Sequence, residues 1–191
     1  MKSRKFTKEK KSQDIDVGDI IIAAPFWQDL RYRQSVIILL NHDNVGSTGI
    51  ILNKQTTLSV KEALPAITKK LPLYYGGPFD THTVSFIHTN PEVPEAVNLG
   101  NELFWGGDFD YLGQMIRDKQ MDMEKIKFFA GFVEWSNGQL EAEISENKWW
   151  KSELTSHEVL TTSSENLWSH ELIINGHVYG MVHDLPDPSL N

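Results

Sequence analysis

Short apolar blocks, rather than long amphipathic stretches, dominate the chain from Asp19 onward. Ile20–Ala24 and Val36–Leu40 are rich in β-branched residues and are bounded by Pro25 and by Asn41-His42-Asp43-Asn44, which predicts two buried strands. Gly46 and Gly49 flank a tight connection into Ile50-Ile51-Leu52, a third strand ending at Asn53. Thr57 to Lys70 reads as a short helix, with Ser59 as its N-cap and Pro65 interrupting it or opening a second turn. Leu73–Tyr75 and Val84–His88 read as further strands, separated by Gly76-Gly77-Pro78. Asp108 opens a helix that buries Leu112, Met115 and Ile116 on one side. Lys127–Trp135 and Gln139–Ile144 read as two strands joined by Asn137-Gly138, the strongest short-range hairpin signal in the chain. Thr162-Ser163-Ser164-Glu165 fits a capping box, and the helix it opens should end before Gly176. Neither an internal repeat nor a linker is visible. Strands with interspersed helices predict an α+β class: a single domain over residues 17–191 behind a flexible, basic segment at 1–16.

The predicted hairpin has consequences for charge. With Asn137-Gly138 as a two-residue turn, Trp135 faces Leu140 and Val133 faces Ala142, giving one apolar surface. The opposite surface sets Glu134 against Glu141, with Glu143 one pair further along opposite Phe132. Two opposed carboxylates need a counter-cation, a basic partner, full hydration or a shared proton. They read either as a metal or acid/base pair or as a solvated strand face.

Composition narrows the classes. A chain of 191 residues buries about 70% of its unfolded surface and needs neither disulfide nor metal for stability. The absence of cysteine excludes disulfide scaffolds, thiolate zinc sites, iron–sulfur clusters and cysteine nucleophiles. Apolar runs such as Ser35–Leu40 fall far short of the ~20 residues of a membrane helix. The basic N-terminus has no apolar segment behind it, which argues against a secretory signal and for a cytoplasmic location. Residues 1–13 hold six basic side chains and one acid, so they carry +5, while the remainder carries −13 of the overall −8. Such a body is repelled by phosphate backbones, whereas its basic tail can bind them in a salt-dependent way.

Complete catalytic motifs are missing. Gly76-Gly77-Pro78 lacks the further glycines, lysine and following helix of a phosphate loop, so it reads as a turn or a close backbone approach. Gly106-Gly107-Asp108-Phe109 resembles a diguanylate cyclase signature, but Phe109 stands where the catalytic acid belongs, and Asp108 reads as a helix N-cap. The histidines form no metal-binding spacing: His157-Glu158 and His170-Glu171 lack a second histidine, and His177 and His183 fall near the end. His88 reads as a hydrogen-bonded structural histidine. No catalytic residue, metal or cofactor is therefore predicted. Of the adjacent Trp149 and Trp150, either one is exposed for a protein contact or homodimer, or both pack under the C-terminal segment.

The ordered set Tyr32-Arg33-Gln34-Ser35-Val36, Gly46-Ser47-Thr48-Gly49-Ile50-Ile51-Leu52-Asn53, Gly76-Gly77-Pro78, Ile87-His88, Trp105-Gly106-Gly107-Asp108-Phe109, Gly131-Phe132-Val133-Glu134-Trp135, Gly138-Gln139-Leu140-Glu141-Ala142-Glu143-Ile144 and Leu167-Trp168 resembles the YqgE/AlgH family of bacterial proteins. The resemblance spans roughly Val17 to Leu185. It implies a bent mixed sheet forming an open-barrel-like core flanked by helices. It also implies a family described as transcriptional regulators, with no established biochemical activity. Gln34 stands where the family pattern has arginine, and Glu134 where it has glycine. The candidate ligand or interaction site is Arg33, Ser35, Asn53, Gly76, Gly77, Pro78, Trp135, Gln139, Glu141 and Glu143. Two functions compete: regulation through an unknown protein partner or nucleic acid without membrane contact, and a small-ligand binder or hydrolase-like enzyme using a pocket near Asn53, Gly76, Gly77, Gln139 and Glu141.

Overall fold

Runs of consecutive apolar residues become strands that are buried on both faces. The computed structural model describes residues 15–64, 67 and 69–175. The basic tail, Pro65, His177 and His183 lie outside the described residues.

Strands β1 (Ile20–Ala23), β2 (Val36–His42) and β3 (Gly46–Ile51) pair antiparallel in sequence. Gly46 opens β3 rather than a connection, because the turn is made earlier: Asp43 Oδ1 accepts from the N–H of Val45 at 2.8 Å and of Gly46 at 3.2 Å. Residues 55–59 form strand β4 (Gln55–Ser59), and the helix expected over Thr57–Lys70 shrinks to the single turn α1 (Val60–Ala63). Thr56 explains part of this, since its hydroxyl donates to Leu73 O at 2.8 Å and ties β4 to β5 (Pro72–Tyr75). Ser59 is the N-cap as expected, in a reciprocal capping box with Glu62.

Next come β6 (Phe79–His88), β7 (Val97–Gly100), β8 (Leu103–Trp105) and helix α2 (Phe109–Arg117). Asp108 caps α2, accepting from the N–H of Asp110 and Tyr111 at 2.8 and 3.0 Å, while Leu112 and Met115 are buried and Ile116 is half-buried. Strand β9 (Ile126–Ser136) is followed by α3 (Gln139–Ser145), β10 (Trp149–Ser152), α4 (Ser156–Thr161) and α5 (Ser164–Ile174). The capping box expected at Thr162–Glu165 is absent: α5 starts from Ser163 without a side-chain cap, and the reciprocal box forms instead between Thr155 and Glu158 on α4. The last helix stops at Ile174, before Gly176.

Ten described strands form one mixed sheet in the order β10-β1-β2-β3-β9-β6-β8-β7, with β5 and β4 attached to β9 off this path. The path does not close, so the core is an open, bent sheet flanked by helices. Its pivot is β9. The first half of β9 pairs in parallel with β5 (Leu73↔Phe128 to Tyr75↔Ala130), and its second half pairs antiparallel with β3 (Gly49↔Val133 to Gly46↔Ser136).

Alternate side chains of β1 and β2 feed two cores. Ile20, Ile22, Val36, Ile38 and Leu40 meet Leu154, Val159, Leu167, Trp168 and Leu172 from the α4–α5 side. Ile21, Ala23, Ile37 and Leu39 face Trp135, Leu140 and Trp149. Double burial is why these strands read as unbroken apolar runs rather than alternating ones. A third cluster packs Val60, Leu73, Phe86 and Phe128 beneath α2. Trp149 and Trp150 divide between the first two: Trp149 is 1% exposed in one, and Trp150 is half-buried against the other.

Candidate functional site

The segment after β9 is a helix, not the second strand of a hairpin. Gly138 adopts φ 75°, a left-handed conformation that glycine enters at no cost, and serves as the N-cap of α3. Gln, Leu, Glu and Ala at 139–142 are all strong helix formers, and a helix buries Leu140 and half-buries Ile144 on one face. The opposed Glu134 and Glu141 of the hairpin expectation therefore do not exist. Glu134 is exposed on β9 beside Thr48, and Glu141 lies on α3 with Oε1 3.8 Å from His42 Nε2.

The helical turn instead converts Gln139 and Glu143 into a knot. Glu143 Oε2 accepts from Trp135 Nε1 at 2.9 Å and from Trp149 Nε1 at 2.8 Å, while its Oε1 accepts from Gln139 Nε2 at 3.0 Å. Gln139 Oε1 in turn accepts from the Ser136 N–H at 3.0 Å, closing the turn. Trp149 is also ringed by Trp27, Tyr32 and Trp135, with centroids 4.4, 5.8 and 5.9 Å away. Burial among these rings raises the pKa of the Tyr32 hydroxyl. One carboxylate thus ties together β9, α3 and β10.

Gly76 and Gly77 sit where the edge partner of β9 changes from β5 to β3. A Cβ on Gly76 would lie 2.1 Å from Gly131 O, and one on Gly77 would lie 2.1 Å from Phe132 O, so only glycine allows the crossing. Gly76 uses the closeness to bond both sides: its N–H donates to Ala130 O and its carbonyl accepts from the Ile51 N–H, each at 2.8 Å. Pro78 then leads the chain out of this crossing into β6.

At the start of β2, Asn53 is a clamp. Its Oδ1 accepts from the Val36 N–H at 2.9 Å, and its Nδ2 donates to Gln34 O at 2.8 Å. The clamp holds Gln34 at φ 54°, a strained conformation for a residue with a side chain. Ser35 is fully buried, and among the described residues its hydroxyl has no hydrogen-bond partner. Arg33 is exposed and, with Gln34, Asn53, Lys54, Ser164, Glu165 and Trp168, lines a concavity of about 140 Å³. A second, wider one of about 310 Å³ is bordered by Asn101, Glu102 and residues 153–156. Neither is lined by Gly76, Gly77, Pro78, Trp135, Gln139, Glu141 or Glu143.

Other chemically capable groups are enclosed. His88 is buried, which lowers its pKa; its Nδ1 accepts from the Asn90 N–H at 3.2 Å, so its Nε2 donates to Gly106 O at 3.1 Å as a neutral imidazole. Glu171, 1% exposed, accepts from the Ser152 hydroxyl and lies 3.2 Å from His170 Nδ1. Lys127, 5% exposed, donates to Val159 O at the end of α4 at 3.0 Å and sits 4.7 Å from the Tyr74 ring centre. Burial pushes its pKa down to about 8. Nothing in the local sequence marks Lys54 or Lys127, and Leu167-Trp168 marks Trp168 only as a motif without a role, because each acquires its surroundings from segments far away in the chain. Among the described residues no group of three or more histidines and acids could hold a metal ion, and no helix is long and apolar enough to cross a membrane.

Fold and site together define a mixed α+β protein whose most distinctive motif holds the chain together. A family model described as AlgH-like matches residues 20–178, and the chain belongs to that family. A UPF0301 protein of Parabacteroides distasonis is 35% identical over 179 residues, covering 91% of this chain and 90% of the relative. One from Chlorobaculum tepidum is 34% identical, covering 91% and 95%. The solution structure of the AlgH protein from Pseudomonas aeruginosa superposes with a TM-score of 0.71 at 23% identity, covering 96% of this chain and 99% of that one. A crystal structure of a protein from Corynebacterium diphtheriae superposes at 0.74 and 21% identity, covering 93% and 95%. These two likenesses are of fold.

Proposed function

We propose that the protein is a cytoplasmic regulator that works by contacting a protein partner through the loop between β1 and β2. The observation that carries this reading is that Phe26 and Leu30 are 69% and 76% exposed on that loop. The loop is braced from below. Trp27 and Tyr32 pack on Trp149, Arg31 pairs with Asp29 at 2.7 Å, and Lys54 Nζ donates to Arg31 O at 2.5 Å. Two apolar side chains held out on a braced loop suit docking, because little ordering entropy remains to be lost on contact. The charge of −13 outside residues 1–13 favours a protein partner over nucleic acid. A non-catalytic role is supported by Glu143, Trp135 and Gln139, whose polar atoms bond one another, the Trp149 indole and the Ser136 N–H.

A photo-crosslinking residue at position 30, in the native cell, tests the reading. A discrete protein adduct lost in Phe26→Ser is expected; an adduct indifferent to Phe26→Ser, or none, overturns it. Fluorescence anisotropy with DNA across a salt series, on the intact chain and on one lacking residues 1–13, separates the alternatives. Binding that vanishes with the tail fits the protein-partner reading. Sequence preference that survives its removal near physiological salt would replace it with nucleic-acid recognition.

A further inference from the structure

Three separate segments converge on the 140 Å³ concavity: Arg33-Gln34 before β2, Asn53-Lys54 after β3, and Ser164, Glu165 and Trp168 of α5. Sites for drug-sized ligands run to about 300–1,000 Å³, so this one has room for a single small group. Among the described residues its wall carries two cations, two carboxamides and one hydroxyl against one carboxylate. Lys54 is half-buried, and among the described residues its hydrogen-bond acceptor is a single carbonyl, Arg31 O. An ammonium has three N–H donors, so two are left to turn toward the cavity. Burial lowers the pKa of Lys54, and the neighbouring Asp29 carboxylate offsets only part of that, as expected for a cation taken from water without full compensation. Ser163 makes no side-chain bond to the first turn of α5 and its carbonyl takes the Asn166 and Leu167 N–H groups, so among the described residues the N–H groups of Ser164 and Glu165 are left for another acceptor.

We propose that this corner binds one phosphate group, free or carried on a small molecule, with Lys54 and Arg33 as its counter-charges. Donors arriving from three chain segments suit a tetrahedral oxyanion, which presents oxygens in three directions, better than a planar carboxylate. Arg33 and Lys54 supply charge-assisted hydrogen bonds. The carboxylate of Glu165 opposes the bound anion and holds the affinity down. Trp168, 3% exposed and fixed by its Nε1 donating to Ala23 O at 2.8 Å, gives the concavity one rigid wall. The concavity shares Arg33 and Gln34 with the loop between β1 and β2, but phosphate binding here does not require that loop to dock a protein.

The test is calorimetric titration of the full chain with inorganic phosphate and with glycerol 3-phosphate at constant ionic strength, with acetate as a third arm. Saturable phosphate binding is expected, with acetate much weaker. Lys54→Met should weaken it about tenfold or more, and Glu165→Gln should tighten it about threefold to tenfold. Because Lys54 also braces the loop, Lys54→Met is checked by thermal unfolding; if it fails to fold, Glu165→Gln decides alone, since misfolding does not produce a gain. Equal binding of both phosphate compounds assigns the site to the free group, and preference for the ester assigns it to a phosphorylated small molecule. No saturation by either compound overturns the proposal. So does binding indifferent to both substitutions, or an acetate affinity equal to that for phosphate.

Discussion

Glu143 and Lys54 are both half-buried at the margin of the same sheet, and their surroundings treat them in opposite ways. The carboxylate receives three donors from three segments, at 2.8 to 3.0 Å. The ammonium gives one hydrogen bond to a carbonyl and lies in a wall that also holds Arg33. A satisfied charge is mortar, because removing one partner strands the others at the full cost of desolvation. An under-satisfied charge beside a cavity is where a ligand has something to gain. The family motif contributes to both corners, Trp135, Gln139 and Glu143 to the first and Arg33, Gln34, Asn53 and Trp168 to the second, whose under-satisfied ammonium comes from just outside the motif.

The contrast can be broken most sharply at Glu143. Glu143→Ala strands the two buried indole N–H groups of Trp135 and Trp149, and we expect a loss of about 2–4 kcal/mol in urea unfolding. A loss under ~1 kcal/mol would erase the distinction between the corners. Exposed Glu141→Gln should stay within about 0.5 kcal/mol.

Lys127 extends the comparison to full burial. Its folded pKa of about 8 lies below the unfolded value of 10.5, so between those pH values the unfolded chain binds more protons and stability rises with pH. Relative to Lys127→Met, the wild type should gain about 3 kcal/mol from pH 8 to 10.5. Equal pH slopes in the two proteins would show that the ammonium is effectively solvated.

At the under-satisfied corner, Lys54→Met should change stability by no more than about 1 kcal/mol, in either direction, since little compensation is lost with the charge. Smallest of all, Leu30→Ser should shift unfolding by under about 0.5 kcal/mol while removing the crosslink expected from the exposed loop. A large destabilisation there would make Leu30 a packing residue and remove it from the docking surface.

The sheet was legible wherever strands are buried on both sides. Ile20–Ala23 and Val36–Leu40 announce themselves because no polar residue interrupts them. The failures share another cause. In Gln139–Ile144 the apolar positions 140, 142 and 144 satisfy a strand period, yet 140 and 144 alone satisfy a helix, and local propensity decided between them. Over Thr57–Ser59 the reverse occurred, when pairing with β5 overrode a helical reading. Asn137-Gly138 was recognised as a turn, but a left-handed glycine opens a helix as readily as it closes a hairpin. Site residues were visible one by one through the resemblance, while their roles were not. What Glu143 does depends on Trp149, and what Lys54 borders depends on Trp168 more than a hundred residues on.

Strand β9 is shared by both halves of the sheet, and among the described strands it alone pairs the β10-β1-β2-β3 half with the rest. That connectivity imposes an order on biosynthesis. The strands β1 to β3 leave the ribosome with the outer edge of β3 unpaired, and its partner is not synthesised until β4 to β8 have been made. Long-range pairing of this kind closes slowly and leaves a templating edge open meanwhile. The nascent chain therefore depends on protection of that edge until Ser136 emerges, and truncations ending before β9 should be insoluble rather than small folded domains.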